Sequence, residues 1–209
     1  MAKENRAAAR LNAVQALYQM EIAGKGLNEI LARKAERYAG RGVVGIDLAG
    51  PEHHTRELGD EVDAYAELFA RARGAGLGTT IHTGETAETG SEGVIAVVEK
   101  LRPHRIGHGI AAAGSEEAMR KLVENDVVLE LCPTSNLRTH AVDDLEEFGH
   151  VIERFRDAGV RFTINTDGPY LLGTTLRDEF DLLLRHGIMS GAEARSCLET
   201  ARAASFVAG

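Results

Sequence analysis

Hydrophobic and polar positions follow two different rhythms along the chain. In residues 5–38 apolar side chains such as Leu11, Val14 and Leu17 recur at helical spacing, which predicts an N-terminal helical segment. From residue 42 onward, short β-branched runs alternate with helical stretches. The predicted strands are 43–47, 79–83, 105–109, 127–132 and 161–166. The predicted helices that follow them cover about 56–74, 91–102, 115–125, 144–158 and 174–186.

This repeated βα order predicts parallel strands that are joined by right-handed crossovers. The strands lack a polar and apolar alternation, so we expect helices to cover both faces of the sheet. The predicted fold class is therefore α/β, with about five parallel strands, outer helices and an added N-terminal helical segment.

Composition narrows the choice of function. The chain has 209 residues, 44% of them apolar and 27% charged, which is ordinary for a soluble globular protein. The net charge of -8 argues against nucleic-acid and membrane-surface binding, because such proteins usually present a basic face. No apolar run is long enough for a membrane span, and "MAKENRAAAR" has no apolar signal core. Two cysteines are too few for a disulfide framework, so we expect a cytoplasmic protein.

Polar or titratable side chains stand at the ends of all five predicted strands. The carboxyl ends of parallel strands lie on one face of the sheet, where the βα loops build binding sites. The side chains are Asp47, His82 followed by Glu85, His108, Cys132 followed by the turn "PTSN", and Asp167. The sequence therefore predicts a site on this face.

Imidazole and carboxylate groups suit a divalent metal such as zinc, and a catalytic zinc lowers the pKa of its water to about 7. Glu85 is the candidate proton shuttle, and His108 is a candidate to orient the attacking hydroxide. Each residue also has a structural interpretation: a strand-end histidine as a hydrogen-bonding group, Glu85 or Asp47 as a helix cap, and Asp167 as a turn residue before Gly168. The set as a whole favours the site.

Five motifs in this order resemble the adenosine deaminase family over residues ~36–209. They are "VVGIDLAGPE" (43–52), "HTGE" (82–85), "RIGHG" (105–109), "LELCPTSN" (129–136) and "NTDGP" (165–169). The resemblance implies an eight-stranded (β/α) barrel, or TIM barrel, that binds one zinc ion. It also implies a role in purine metabolism, the hydrolytic removal of the 6-amino group from adenosine or a related adenine compound.

The resemblance implies a role for each matching residue. His82 and Asp167 are expected to be zinc ligands, Glu85 the proton shuttle to the purine ring, and His108 the group that orients the hydroxide. The backbone of Gly50 is expected to contact the purine. Gly168 stands where the family has a substrate-binding aspartate, so we expect a related purine or a modified nucleoside as an alternative substrate.

The chain departs from the family at its other end. It contains no His-x-His, the motif that supplies two zinc ligands in the family, and the resemblance starts at the fourth barrel strand. In residues 7–32 the sequence "AAARLNAVQALYQMEIAGKGLNEILA" resembles the N-terminal helices of the NusB family of transcription antitermination factors. The interpretation is a chimera, with a NusB-like helical segment in 1–38 and the C-terminal part of a deaminase-like barrel in 39–209.

Three functions follow from these patterns. The first is a zinc-dependent purine nucleoside deaminase with an incomplete metal site, which His108 or a second chain completes. The second is a catalytically inactive half-barrel scaffold that forms homo-oligomers. The third is a NusB-like module that binds RNA or protein, which the acidic net charge of -8 disfavours.

Overall fold

The structure is a computed structural model, and it describes residues 35–49 and 62–207. The segment that resembles NusB, the backbone of Gly50 and the first residues of the helix predicted at 56–74 lie outside the described residues. The boundary predicted between residues 38 and 39 stays a prediction for the same reason. Within the described part, residues 35–38 are helical.

The five strands form one sheet in sequence order, β1-β2-β3-β4-β5. Register is defined between β3 and β4, where Ile106 pairs with Leu129, and between β4 and β5, where Leu129 pairs with Phe162; both pairs are parallel. The strands are β1 (Gly45–Leu48), β2 (Gly78–Thr83), β3 (Arg105–His108), β4 (Val128–Leu131) and β5 (Phe162–Ile164). The predicted α/β sheet of five parallel strands is confirmed.

Eight helices follow the strands in the described part of the chain. They are α1 (Val62–Gly74), α2 (Gly90–Lys100), α3 (Glu116–Glu124), α4 (Pro133–Arg138), α5 (Leu145–Ala158), α6 (Pro169–Leu172), α7 (Leu176–Arg185) and α8 (Gly191–Ala203). A short 3-10 helix, Ile110–Gly114, precedes α3. Sequence periodicity missed α4, α6 and α8. In α8 only Ala194 and Cys197 are buried, so the helix has no stripe of large apolar residues to signal it.

Polar caps define where four of the helices begin. Ser115 and Asp144 accept hydrogen bonds from the backbone N–H groups of Ala118 and Glu147, at 3.2 and 2.9 Å. Helices α7 and α8 begin with reciprocal capping boxes, Thr175 with Asp178 and Ser190 with Glu193. Each cap stabilises its helix by about 1 kcal/mol and fixes the point at which the preceding loop ends.

The chain divides into two compact units. Unit 1 comprises residues 1–47, 58–80 and 206–209. Its described core is formed by small side chains and one leucine, Ala35, Ala72 and Leu77. The Arg71 guanidinium donates two hydrogen bonds to the Glu36 carboxylate, at 2.9 and 3.0 Å.

Unit 2 comprises residues 48–57 and 81–205. Its core is built from large side chains, and Ile106, Leu129, Leu131, Phe148 and Phe155 are each 0% exposed. Helix α3 contacts α2 and α5, and both α7 and α8 contact β5. In residues 35–49 and 62–207, no helix combines the length and the hydrophobicity that a bilayer crossing requires.

Candidate metal centre

Three predicted site residues come together at the strand ends of unit 2. His82 is the penultimate residue of β2, His108 is the last residue of β3, and Asp167 follows β5 by three residues. One ligand atom from each of these side chains lies within 4.8 Å of the other two. The two imidazole rings lie 5.6 Å apart, centroid to centroid, in an edge-on arrangement. Two ring nitrogens and a carboxylate oxygen are the donor types that zinc takes in proteins, so the cluster fits a zinc ion.

A missing side chain on the neighbouring strand makes room for His82. A Cβ atom added to Gly107 would lie 2.7 Å from Cδ2 and 2.9 Å from Nε2 of the His82 ring. Both distances are shorter than real Cβ contacts. The imidazole therefore occupies the space that the side chain of any residue other than glycine would fill at position 107. The glycine of "RIGHG" therefore has a direct part in placing the candidate ligand.

The backbone at the ends of β2 and β3 is fixed by hydrogen bonds between the two turns. Gly109 N donates to Thr83 O at 3.0 Å, and Ala111 N donates to Gly84 O at 2.9 Å. His108 and Asp167 have φ angles of 61° and 55°, in the left-handed region that residues with side chains rarely adopt. Such positions cost about 1–3 kcal/mol each and cluster at functional sites.

Glu85 is held by helix α4 and by Thr139, the residue that directly follows this helix. The Thr139 hydroxyl donates to Glu85 Oε1 at 2.8 Å, and Asn136 Nδ2 lies 3.4 Å from the same oxygen. The other carboxylate oxygen, Oε2, lies 3.6 Å from His108 Nε2. The predicted proton shuttle and the predicted orienting histidine are therefore neighbours.

Asp167 is held by the same helix. The Ser135 hydroxyl donates to Asp167 Oδ2 at 2.7 Å, so one carboxylate oxygen is oriented by a protein donor. Asp167 is exposed and His108 is buried, which gives the cluster one open and one closed side.

Glu179 anchors the start of α4 from 45 residues away. Its carboxylate is 0% exposed, accepts a hydrogen bond from Thr134 N at 3.0 Å and accepts another from the Thr174 hydroxyl at 2.5 Å. This contact explains why "PTSN" forms the first turn of a helix rather than an isolated turn.

Sequence reasoning placed Ser135 and Asn136 on the site face as part of the "PTSN" turn but gave them no role, and it missed Thr139 and Glu179. The signal for the first two was present in the "PTSN" segment, where a serine and an asparagine follow a strand end directly. Thr139 follows Asn136 by three residues, the spacing that places two side chains on one face of a helical turn. Nothing local to Glu179 distinguishes it from a surface glutamate.

The remaining predicted residues do not join the cluster. Asp47 is exposed in β1 and belongs to unit 1. Gly168 precedes α6, and a Cβ atom added there would meet only Leu171 Cβ, at 3.8 Å. Cys132 is buried after β4, and burial, with the Asp167 carboxylate as a second cause, raises the pKa of its thiol. It stays a protonated, small apolar group.

A parallel sheet with outer helices and candidate site residues at its carboxyl ends is the arrangement of enzymes that are built on (β/α) barrels. The chain belongs to the adenosine deaminase family, whose model matches residues 3–208. The match is longer than the resemblance seen in the motifs, which covered ~36–209. It includes the segment that resembles NusB, a resemblance that stays a prediction.

Known relatives carry the names of different deaminases. The chain is 36% identical to the adenine deaminase of Mesorhizobium japonicum over 179 residues, which are 86% of this chain and 52% of the relative. It is 39% identical to the aminodeoxyfutalosine deaminase of Acidothermus cellulolyticus over 165 residues, 76% of this chain and 44% of the relative.

A crystal structure of an adenine deaminase from Arthrobacter aurescens has the same fold, with a TM-score of 0.71 and 25% identity. The similarity covers 87% of this chain and 53% of that one. The chain thus spans about half the length of the relatives that it matches.

Proposed function

We propose that this chain carries the carboxyl-terminal part of a zinc-dependent deaminase site, which removes the 6-amino group of adenosine or a related adenine compound by hydrolysis. The observation that carries the proposal is the convergence of His82, His108 and Asp167, with ligand atoms within 4.8 Å of one another, beside Glu85. Family membership supports the reaction class, because relatives over most of this chain are named deaminases.

His82 and Asp167 would hold the metal ion. The space beside Gly107 orients the His82 ring, and the Ser135 hydroxyl orients the Asp167 carboxylate. A bound zinc ion supplies Lewis-acid chemistry and lowers the pKa of water to about 7.

Glu85 would carry the proton that the purine ring nitrogen takes up. Its Oε1 is anchored by Thr139, and its Oε2 is the oxygen that faces His108. An anchored carboxylate with one oxygen directed at the site has the arrangement that a proton shuttle needs. His108 would orient the water, because its buried ring has little freedom to turn.

Substrate selection is assigned to Gly50 and Gly168. Gly168 stands where the family has a substrate-binding aspartate, so a substrate loses one hydrogen-bonding partner there, which favours a related purine or a modified nucleoside as an alternative. The two relatives act on adenine and aminodeoxyfutalosine by name, so both compounds and adenosine belong in the substrate panel. We further propose a cytoplasmic protein that acts on a small molecule; the net charge of -8 supports the exclusion of nucleic acid.

The test is zinc stoichiometry by elemental analysis of the purified chain, followed by ammonia release from each substrate. We expect about one zinc per chain in the wild type. His82→Ala should lose the metal, whereas His150→Ala, which removes a histidine that is 68% exposed on α5, should keep it. A folded wild-type protein that contains no zinc and takes up none on dialysis would contradict the proposal.

An inactive scaffold that forms homo-oligomers is the second candidate. The observation that favours it is the number of proposed ligands, because His82 and Asp167 are two and a catalytic zinc normally has three protein ligands. The solution mass separates the candidates: an oligomer that binds zinc, next to a monomer that does not, would indicate that a second copy completes the site. An oligomer without zinc would favour the scaffold.

A further inference from the structure

The side chain of Asn136 lies between the proton shuttle and the orienting histidine. Its Nδ2 atom is 3.1 Å from His108 Nδ1 and 3.4 Å from Glu85 Oε1. Asn136 is 0% exposed. One buried amide therefore contacts two of the four proposed site residues.

The chemistry of Glu85 decides which end of the amide faces the site. A carboxylate oxygen only accepts hydrogen bonds, so the group that faces it must be the NH2 of the amide. The reverse orientation would place the amide oxygen against the carboxylate oxygen, two acceptors without a proton between them. Asn136 Oδ1 is buried without a hydrogen-bond partner among the described residues, so no contact on the oxygen side favours the reverse orientation.

The amide orientation in turn decides where His108 carries its proton. An NH2 group that faces Nδ1 donates to it, so Nδ1 must provide a lone pair. In a neutral imidazole the single proton then resides on Nε2. His108 Nε2 lies 3.6 Å from Glu85 Oε2, so the N–H faces an acceptor. Both ring nitrogens thus have complementary neighbours.

We infer that Asn136 is a positioning residue that fixes His108 in the Nε2–H tautomer, so that His108 donates a hydrogen bond in the site and does not coordinate the metal. A metal ion needs a nitrogen lone pair, and in this tautomer the lone pair belongs to Nδ1, which faces Asn136. Of the three clustered side chains, only His82 and Asp167 are then metal ligands.

The inference deepens the proposed function and rests on it for the use of the donated hydrogen bond. The tautomer itself is a property of the zinc-free chain, so it can be measured whether or not the chain binds zinc or has activity.

The experiment is a long-range 1H–15N correlation spectrum of the full chain labelled with 15N-histidine, recorded at neutral pH without metal. The chain has 8 histidines, and the His108→Gln variant identifies the His108 signals by their loss. We expect the pattern of an Nε2–H imidazole. An Nδ1–H pattern in the wild type would overturn the inference without any further variant.

Addition of zinc gives the second measurement. The His82 signals should shift on saturation, and His108 should keep its Nε2–H pattern. Loss of that proton from His108 on zinc addition would show that it has become a ligand and would refute the inference. If zinc shifts no histidine signal, the proposed function fails while the tautomer assignment stands.

Asn136→Ala removes the donor. We expect the preference of His108 for the Nε2–H form to fall by about fivefold, the ratio expected for one hydrogen bond. Ser135→Ala is the matched control, because it breaks the neighbouring hydrogen bond to Asp167 in the same helix. If both variants change the His108 tautomer equally, loosening of α4 is the cause, and the specific role of Asn136 is refuted.

Discussion

The ends of β2 and β3 and the short helix α4 hold their site residues by different means. At the strand ends, close packing and backbone geometry fix the imidazoles: Gly107 leaves space for His82, and His108 adopts a φ of 61°. In α4 and at the residue that follows it, side-chain hydrogen bonds fix the carboxylates: Ser135 orients Asp167, and Thr139 anchors Glu85. The comparison predicts different effects of mutation in the two regions. A change at the strand ends should lower zinc affinity, whereas a change around α4 should lower the stability of the folded chain.

The largest effect is expected where packing fixes a candidate ligand. Gly107→Ala places a Cβ atom 2.7 Å from the His82 ring, so the ring must turn out of its position. We expect zinc affinity to fall by about a hundredfold, the upper end of the range for changes beside a metal ligand. Competition with a chelator measures the affinity.

Gly114→Ala is the matched control for that variant, because a Cβ atom at Gly114 meets nothing within 4 Å. Equal zinc affinities in the two alanine variants would show that His82 does not need the space beside Gly107.

A smaller effect is expected where hydrogen bonds fix α4. Glu179→Ala leaves Thr134 N without its buried acceptor and removes the partner of the Thr174 hydroxyl. We expect the free energy of unfolding to fall by about 1–2 kcal/mol, the cost of leaving a buried hydrogen-bonding group without its partner. Urea unfolding measures this loss.

Glu199→Ala removes an exposed glutamate within α8 and should change stability by less than about 0.5 kcal/mol. A Glu179 variant that is as stable as this control would contradict the anchoring role of Glu179.

The smallest effect is expected from a similar hydrogen bond at the surface. Ser190, through its hydroxyl and backbone, and then the Arg156 guanidinium lower the pKa of Glu193 from 4.5 to about 2. A lowered pKa in the folded state adds stability above the unfolded value, and this stability is lost as pH falls from 4.5 toward about 2. The Glu193 side chain is 36% exposed, so solvent screening keeps the contribution small.

Melting temperatures over that pH window measure the Glu193 contribution. Wild-type protein should lose slightly more stability on acidification than Glu193→Gln does. Glu199→Gln, which removes an exposed charge from the same helix, should follow the wild-type curve. Parallel curves for wild type and Glu193→Gln would exclude a role for this carboxylate.

The site residues at the strand ends were predictable because their polar side chains stand at the end of short apolar runs in the sequence. His82, His108 and Asp167 each end or follow such a run, and the parallel order brings them to one face. The sequence pattern therefore contained both the sheet and the residues of the cluster.

The contacts that position the site residues were less predictable from the sequence than the strand ends were. The start of α4 depends on Glu179, a contact across 45 residues that no local pattern reveals. Helix α8 is buried through Ala194 and Cys197 alone, so its periodicity is faint. Gly107 was visible within a motif, but its effect appears only when β2 and β3 lie side by side.

The left-handed backbone at His108 and Asp167 has a consequence for protein engineering. Glycine adopts such φ angles without a steric cost, so a glycine at either position would relieve the strain. A search for variants that is scored on melting temperature alone would therefore favour glycine at both positions. It would remove Asp167, a candidate metal ligand, and His108, the proposed hydrogen-bond donor. Stabilised libraries of this chain should therefore keep both positions fixed, because the strain accompanies the side chains that carry the chemistry.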